Sequence, residues 1–359
     1  MRVFTIVLAL LFCAQAQAQD VIVQEELLPV TIHGREFKLD TIVVKRKDFD
    51  GRRLPIALLT HGVSRNAQEN AEVTTGRLRG QAIDMALRGY LAVGLIRRGF
   101  GKSSDYTRPR GCGTGSFLPS LRDQAADIEG VRKVVAARPD ADPTRIVGMG
   151  VSVGGITMLA WANERPEGLI AVVNVSGGTG STATDTNCDE PALIAAARSF
   201  GDARNAPSIW FYAANDTYFG PRVVSRMHDG FTARGGKAKL HAFDAIGNDG
   251  HQIWSLSDGR QRWLPAMDAF LGGLGLPSWD PAPAAKFAES LNESNKRVVE
   301  RYLASPGHKV LMMATGKRNL YTWRGAVDLD LARKNGLESC EKSAGEKCRI
   351  VMENLQPVP

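Results

Sequence analysis

Several absences narrow what this chain can be. Beyond residue 18, no stretch is apolar and long enough to cross a bilayer, which takes roughly 20 residues in a helix. There is no C-x-x-C pair, and no histidine cluster lies near a cysteine, so a bound metal has no ligand set. No Lys/Arg block or basic–aromatic alternation marks a nucleic-acid surface, despite a formal net charge of +7. The glycine-rich run Arg97–Ser103 lacks the G-x-x-x-x-G-K-[ST] spacing, which excludes a phosphate loop of that kind. No internal repeat is visible. Charged residues make up 23% and hydrophobic residues 43% of the chain, enough for the core of an ordinary soluble globular protein.

Cysteine is scarce, with five in 359 residues. The first, Cys13, falls inside a segment that reads as a secretory leader. Arg2 supplies the positive start, Val3–Ala14 the apolar centre, and Ala16-Gln17-Ala18 the A-x-A cleavage site. A mature chain would begin at Gln19, exported to the periplasm or the medium. Phe12 before Cys13 does not fit a lipoprotein, which needs a small residue there. Removal of the leader leaves Cys112, Cys188, Cys340 and Cys348. An even count in an exported chain favours disulfides. Cys340 and Cys348 are close in sequence and isolated from the others, which pairs them and leaves Cys112 with Cys188.

The chain alternates strands with helices. Val21–Ile32 and Leu39–Lys45 read as a hairpin around His33-Gly34-Arg35. Leu54–Thr60, Tyr90–Ile96, Arg145–Gly150, Leu169–Val175, Ser208–Ala214 and Lys239–Ala245 read as strands. The most apolar of them suit burial on both faces. Helices are expected at 67–88, 121–137, 153–163, 191–199, 223–234 and 263–271. That alternation implies a parallel sheet with helices on both faces, its reactive groups beyond the carboxyl ends of the strands. Gly272–Pro283 is rich in Gly and Pro. Beyond it the pattern changes to a polar helix at 285–303, short strands at 309–313, 321–323 and 348–352, and a helix at 327–340.

Gly150-Val151-Ser152-Val153-Gly154 is a G-x-S-x-G pentapeptide between a strand and a helix. Small residues two before and two after the serine let neighbouring backbone approach, and the hydroxyl stands clear of the sheet. A serine hydroxyl is inert near neutrality unless a base takes its proton, and the base is usually a histidine oriented by a carboxylate. Asp216, after a strand, and His251, in a later loop, complete the order serine, acid, histidine. Asp244 and Asp249 are rivals for the acid. Asp244 falls within the last strand, and Asp249 is too close to His251 for the usual order. The backbone N–H of Val153 and that of Val63 or Ser64, after His61-Gly62, are placed to hold an oxyanion; Val63 is preferred. His61 itself reads as structural, and Arg98 as ordering its loop through a carboxylate.

These motifs together resemble the α/β-hydrolase superfamily, and within it the dienelactone-hydrolase-like group. They are Thr60–Gly62 (THG), Arg97–Ser103 (RRGFGKS), Gly148–Gly155 (GMGVSVGG), Tyr212–Phe219 (YAANDTYF) and Gly250–Trp254 (GHQIW). The resemblance covers about Leu54–Leu276. It implies a mostly parallel eight-stranded sheet flanked by helices, with Ser152 as nucleophile, Asp216 as acid and His251 as base. Dienelactone hydrolases carry a cysteine nucleophile; the serine here favours ordinary ester chemistry. The expected organisation is a leader at 1–18, a hydrolase domain at 19–276, a linker at 277–286 and a small α+β module at 287–359. The module is similar to small cysteine-bearing C-terminal modules of exported bacterial proteins.

The expected function is an exported serine hydrolase cleaving carboxylic esters of a small molecule or polymer through an acyl-enzyme. It would need no metal or organic cofactor, no nucleic-acid partner and no stable membrane insertion. The oligomeric state is left open. A serine peptidase of the prolyl-oligopeptidase type shares the triad order, although only about 20 residues precede the first strand. A binding or scaffold protein on a hydrolase fold is the third reading, and an intact triad argues against it. A Cys112–Cys188 bridge would tie two loops at the carboxyl end of the sheet and shape either the acyl or the alcohol pocket.

Overall fold

The computed structural model describes residues 20–109 and 111–358; the segment read as a leader, Met1–Ala18, lies outside them. Eight strands form the main sheet: β1 (Val21–Ile32), β2 (Arg35–Arg46), β3 (Leu54–Thr60), β4 (Leu91–Leu95), β5 (Ala141–Val151), β6 (Leu169–Val175), and then β9 (Ser208–Ala213) and β10 (Ala238–Phe243). Between β6 and β9 lies a small hairpin of β7 (Ser181–Ala183) and β8 (Thr186–Asn187), inside what reads from sequence as a loop. The main sheet runs in the order β1-β2-β4-β3-β5-β6-β9-β10. β1 pairs antiparallel with β2, and β2 with β4; every other neighbouring pair is parallel. The opening hairpin turns on His33 and Gly34 alone, both at positive φ, while Ile32 pairs with Arg35.

Every residue of β3 is buried, and its side chains feed two cores alternately. Ile56 and Leu58 face α3 (Leu118–Ala136) and α4 (Val153–Asn163), together with α5 (Glu190–Ser199) and α6 (Pro221–Ala233). Ala57 and Leu59 face α2 (Gly76–Arg88) and α7 (Ser257–Gly273). A continuous apolar run is therefore what a doubly covered strand requires.

One long helix was expected over 67–88. Instead α1 (Ala67–Ala71) stops and α2 begins at Gly76. Val73-Thr74-Thr75 is β-branched throughout, which disfavours helix, and Val73 turns into a small apolar cluster with Leu78 and Ile96. The C-terminal helix expected over 285–303 is likewise two: α8 (Ala282–Glu289) and α9 (Glu293–Ala304). Asn292 caps the second, its side chain accepting from the Asn295 N–H at 2.9 Å.

Residues 308–357 build a second sheet of β11 (His308–Ala314), β12 (Leu320–Ala326), β13 (Cys348–Glu353) and β14 (Gln356–Pro357), in the order β12-β11-β13-β14. α10 (Leu329–Ala344) covers one face and α9 the other. The span 277–286, expected as a linker, is tied on both sides. Tyr90 donates to the Pro277 carbonyl at 2.9 Å, the Trp279 N–H donates to Asp268, and the Trp279 indole donates to the Leu355 carbonyl. Its end already belongs to α8. Cys112 joins Cys188 and Cys340 joins Cys348, with Cα atoms 5.6 and 6.2 Å apart. No helix among the described residues is long and apolar enough to cross a membrane.

Buried cations fix the C-terminal end of α9. Arg260 of α7 donates to the Ala304 carbonyl and to Asp84 of α2. The Lys309 ammonium donates to the carbonyls of Leu303, at 2.8 Å, and Ser305. A cation at the carbonyl end of a helix satisfies its free acceptors and its dipole. Burial pushes the Lys309 pKa down to about 7, with Asp84 opposing and Arg260 and Arg88 assisting. The folded chain thus holds this proton less tightly than the unfolded chain. Between pH 7 and 10 the unfolded state carries more of it, and stability rises with pH. Lys309→Met removes that contribution. In urea unfolding, the stability of wild type relative to Lys309→Met should grow by about 1–2 kcal/mol from pH 7 to 9. A difference that stays constant contradicts the assignment.

Candidate active site

β5 and α4 meet at a single residue. Ser152 has φ 55° and ψ −125°, its N–H donates to the Val175 carbonyl at 2.9 Å, and Val153 already opens the helix. The flanking glycines are required by contact. A Cβ on Gly150 would lie 2.3 Å from the Gly154 carbonyl oxygen, and one on Gly154 2.5 Å from that of His61. Positive φ on a serine costs of order 1–3 kcal/mol and persists because the surrounding packing dictates it. Its result is a hydroxyl raised above the carboxyl edge of the sheet.

His251 meets that hydroxyl. Its Nε2 lies 3.0 Å from Ser152 Oγ, and its Nδ1 lies 3.0 and 3.1 Å from the two Asp216 oxygens. With Nδ1–H donating to the carboxylate, Nε2 is left to accept the serine proton. Asp216 is buried, and its Oδ1 also accepts the N–H groups of Tyr218 at 2.8 Å and Phe219 at 3.0 Å, so the charge is solvated by backbone. The histidine sits in a short 3-10 turn, Gly250–Trp254, where sequence reading placed a loop. The structure thus brings together the three residues picked from sequence order, Ser152, Asp216 and His251.

The rival acids have other positions. Asp244 is exposed and just past the end of β10. Asp249 accepts from the His251 N–H at 2.9 Å, the Thr217 N–H at 3.1 Å and the Thr217 hydroxyl at 2.9 Å, lacing the loop of Asp216 to the loop of His251. Burial works to raise its pKa, but these donors outweigh it and hold the carboxyl below its ordinary range.

The loop after β3 brings further backbone N–H groups to the site. The Ser64 N–H is already taken by Asn70 at 2.8 Å, whereas the N–H groups of Val63 and Val153 have no acceptor among the described residues. Both residues line the recess next to Ser152. His61 holds the loop from below. Its Nε2 accepts from the Arg97 N–H, so its Nδ1 carries the proton and donates to the Gly62 carbonyl at 2.6 Å. Burial and the Arg97 cation keep His61 neutral, its pKa well below the usual value. Buried Arg97 donates to Thr60 Oγ1 and to the His61 carbonyl, both at 2.7 Å. Arg98 pairs with Asp127 and Asp123, the loop-ordering role expected for it.

Two participants escaped the sequence reading. The Tyr218 ring stacks on the His251 imidazole, centroids 3.8 Å apart and planes at 11°. The Arg65 guanidinium lies 3.5 Å from the other face of Tyr218, anchored by Ser181 Oγ at 2.7 Å and the Thr217 carbonyl at 2.9 Å. The stack fixes the plane of the imidazole. Tyr218 stands two residues from Asp216 in a stretch already singled out, but its pairing with Arg65 leaves no local signal. A cleft of about 420 Å³ opens over the site, lined by Glu69, Arg77, Tyr218, His251, Gln252 and Trp254 among others.

Comparison with solved structures places this architecture. Esterase 2 of Thermogutta terrifontis, in its paraoxon-phosphorylated form, matches with a TM-score of 0.50 at 16% identity, over 72% of this chain and 96% of the esterase. The acylaminoacyl peptidase of Pyrococcus horikoshii gives 0.51 at 17%, over 73% of this chain and 43% of the peptidase, so this chain spans under half of that enzyme. Esterase Pf2001 of Pyrococcus furiosus gives 0.48 at 15%, over 70% of this chain and 90% of the esterase. No protein-family model and no curated protein matches the sequence. At these identities the likeness establishes the fold: the chain has the α/β-hydrolase fold.

The stack has a kinetic consequence. An aromatic contact of this kind contributes about 0.5–1.5 kcal/mol, roughly twofold to thirteenfold in rate. Tyr218→Leu should lower kcat on an activated ester by that factor, with the thermal midpoint nearly unchanged. Tyr218→Phe keeps the ring and should stay within about twofold. Equal losses in both variants contradict an orienting role for the ring.

Proposed function

We propose that this chain is a serine hydrolase of carboxylic esters. The observation that carries the reading is the unbroken chain Asp216–His251–Ser152, with links of 3.0 Å, ending at a hydroxyl held on a strained strand-to-helix turn. As His251 takes its proton, Ser152 Oγ attacks the ester carbonyl. Asp216 stabilises the imidazolium. The carbonyl oxygen, now negative, accepts from the N–H groups of Val63 and Val153. Collapse of the intermediate expels the alcohol oxygen, which takes the proton from His251 and leaves an acyl-Ser152. Water, deprotonated by His251, then attacks the acyl carbon and releases the acid. Each proton taken is returned, so the enzyme regenerates itself. The esterase of Thermogutta terrifontis that shares the fold supports the reading.

Export is part of the proposal. The two disulfides suit an oxidising compartment, as does a leader ending at Ala18. N-terminal sequencing of the protein recovered outside the cytoplasm should begin at Gln19.

The mechanism predicts a non-additive pattern, because the three side chains act as one unit. On p-nitrophenyl acetate, Ser152→Ala and His251→Ala should each reduce kcat at least about 10³-fold, and the double variant should lose little more than either. Full activity in Ser152→Ala, or losses that multiply in the double variant, would sink the proposal. Aminoacyl and peptidyl anilides belong in the same panel, since this machinery also opens amides. Faster turnover of those would make the chain a peptidase.

A further inference from the structure

We infer that the ester this site takes joins a short acyl group to a larger, polar, hydroxyl-rich alcohol such as a sugar. The inference rests on the ester-hydrolase reading and adds the substrate class to it. Two recesses meet at Ser152. The larger, about 420 Å³, is lined by His251, Gln252, Trp254 and Ser255, with Glu69 and Arg77. The smaller, about 180 Å³, is lined by Cys112, Thr179, Gly180, Ser181 and Phe219. Ser152, Val63, Ser64 and Tyr218 belong to both, whereas His251 lines only the larger.

The chemistry assigns the halves. The leaving oxygen takes its proton from His251 Nε2, so the alcohol must occupy the recess that His251 lines. The carbonyl oxygen points to the N–H groups of Val63 and Val153. The remaining substituent, the acyl chain, shares the smaller recess with that oxygen, since Val153 lines only this one.

That recess has little room to grow. The Cys112–Cys188 bridge closes one wall. The Cys188 N–H donates to the Gly180 carbonyl at 2.8 Å, and the Asn187 amide donates to the Thr179 carbonyl at 2.7 Å. Gly180 is at φ 84°, where even a Cβ would lie 2.6 Å from the Phe117 ring. A Cβ on Gly178, behind it, would strike the Phe219 ring at 2.6 Å. A wall held covalently and packed this closely does not shift to admit a long chain.

The alcohol recess is wider and carries charge at its rim, beside the apolar Leu78, Val151 and Trp254. It has more than twice the volume, and its rim carries Glu69 and Arg77, 3.7 Å apart, along with Ser64, Gln252 and Ser255. An apolar alcohol lying there would strip water from these groups and return no hydrogen bonds. A polyhydroxylated alcohol replaces the water it displaces. The break between α1 and α2 puts this pair at the site: Glu69 sits on α1 and Arg77 on α2.

The test compares p-nitrophenyl acetate with p-nitrophenyl octanoate, and 6-O-acetylglucose with hexyl acetate, by kcat/KM. Acetate should exceed octanoate at least tenfold, and the acetylated sugar should exceed hexyl acetate. Glu69→Gln/Arg77→Met should raise KM for 6-O-acetylglucose severalfold and narrow its lead over hexyl acetate. Cys112→Ala/Cys188→Ala should narrow the acetate-to-octanoate ratio; if that variant does not fold, the wild-type ratio alone decides the acyl half. Octanoate turned over as well as acetate overturns the acyl half, and hexyl acetate matching the sugar ester overturns the alcohol half. Failure of every ester, with no fluorophosphonate labelling, is a different result: it removes the ester-hydrolase reading itself.

Discussion

Ser152 is held at φ 55° by backbone packed so tightly that no side chain fits at Gly150 or Gly154, and the site is built outward from that constraint. The same closeness sets the neighbours. Gly62 lies against the Ser152 side chain, so the backbone of the loop after β3 comes close to the hydroxyl. The Ser152 carbonyl accepts from Gly155 and Gly178, fastening the loop after β6 to the turn. A relaxed turn would lower the hydroxyl and lose both.

Around the turn, buried charge does the positioning. Arg97 supports the loop at His61 from beneath, and Asp249 laces the loop of Asp216 to that of His251. Farther out, Arg88 and Asp268 form a buried two-bond pair between α2 and α7, at 2.6 and 2.7 Å, and Arg260 with Lys309 grips the end of α9. Breaking a buried pair by removing one partner leaves an uncompensated charge and costs about 3–5 kcal/mol. Together these pairs tie α2 and α7, which cover the main sheet, to α9.

Much of this was legible in the chain itself. The strands of the sheet show as apolar runs because they are covered on both faces, and the elbow shows because only small residues fit at 150 and 154. Asp216 and His251 stand out because polar side chains in loops at the carboxyl ends of strands face the same edge of the sheet as Ser152. Other features depend on contacts across long stretches of chain and have no local signature. Arg65 and Tyr218 are far apart in sequence and meet only in the fold, as do Lys309 and the core it enters. Two misreadings did have local signs: the β-branched run Val73–Thr75 between α1 and α2, and Asn292 capping α9. In both places helical composition on either side masked the break.

We propose Ser152 as a nucleophile activated by His251. Incubation with a tagged fluorophosphonate, followed by peptide mapping, tests it without knowledge of the natural ester. The account predicts a single adduct on Ser152, abolished in Ser152→Ala and strongly slowed in His251→Ala. An unlabelled wild type, or a Ser152→Ala variant that labels equally, would contradict it.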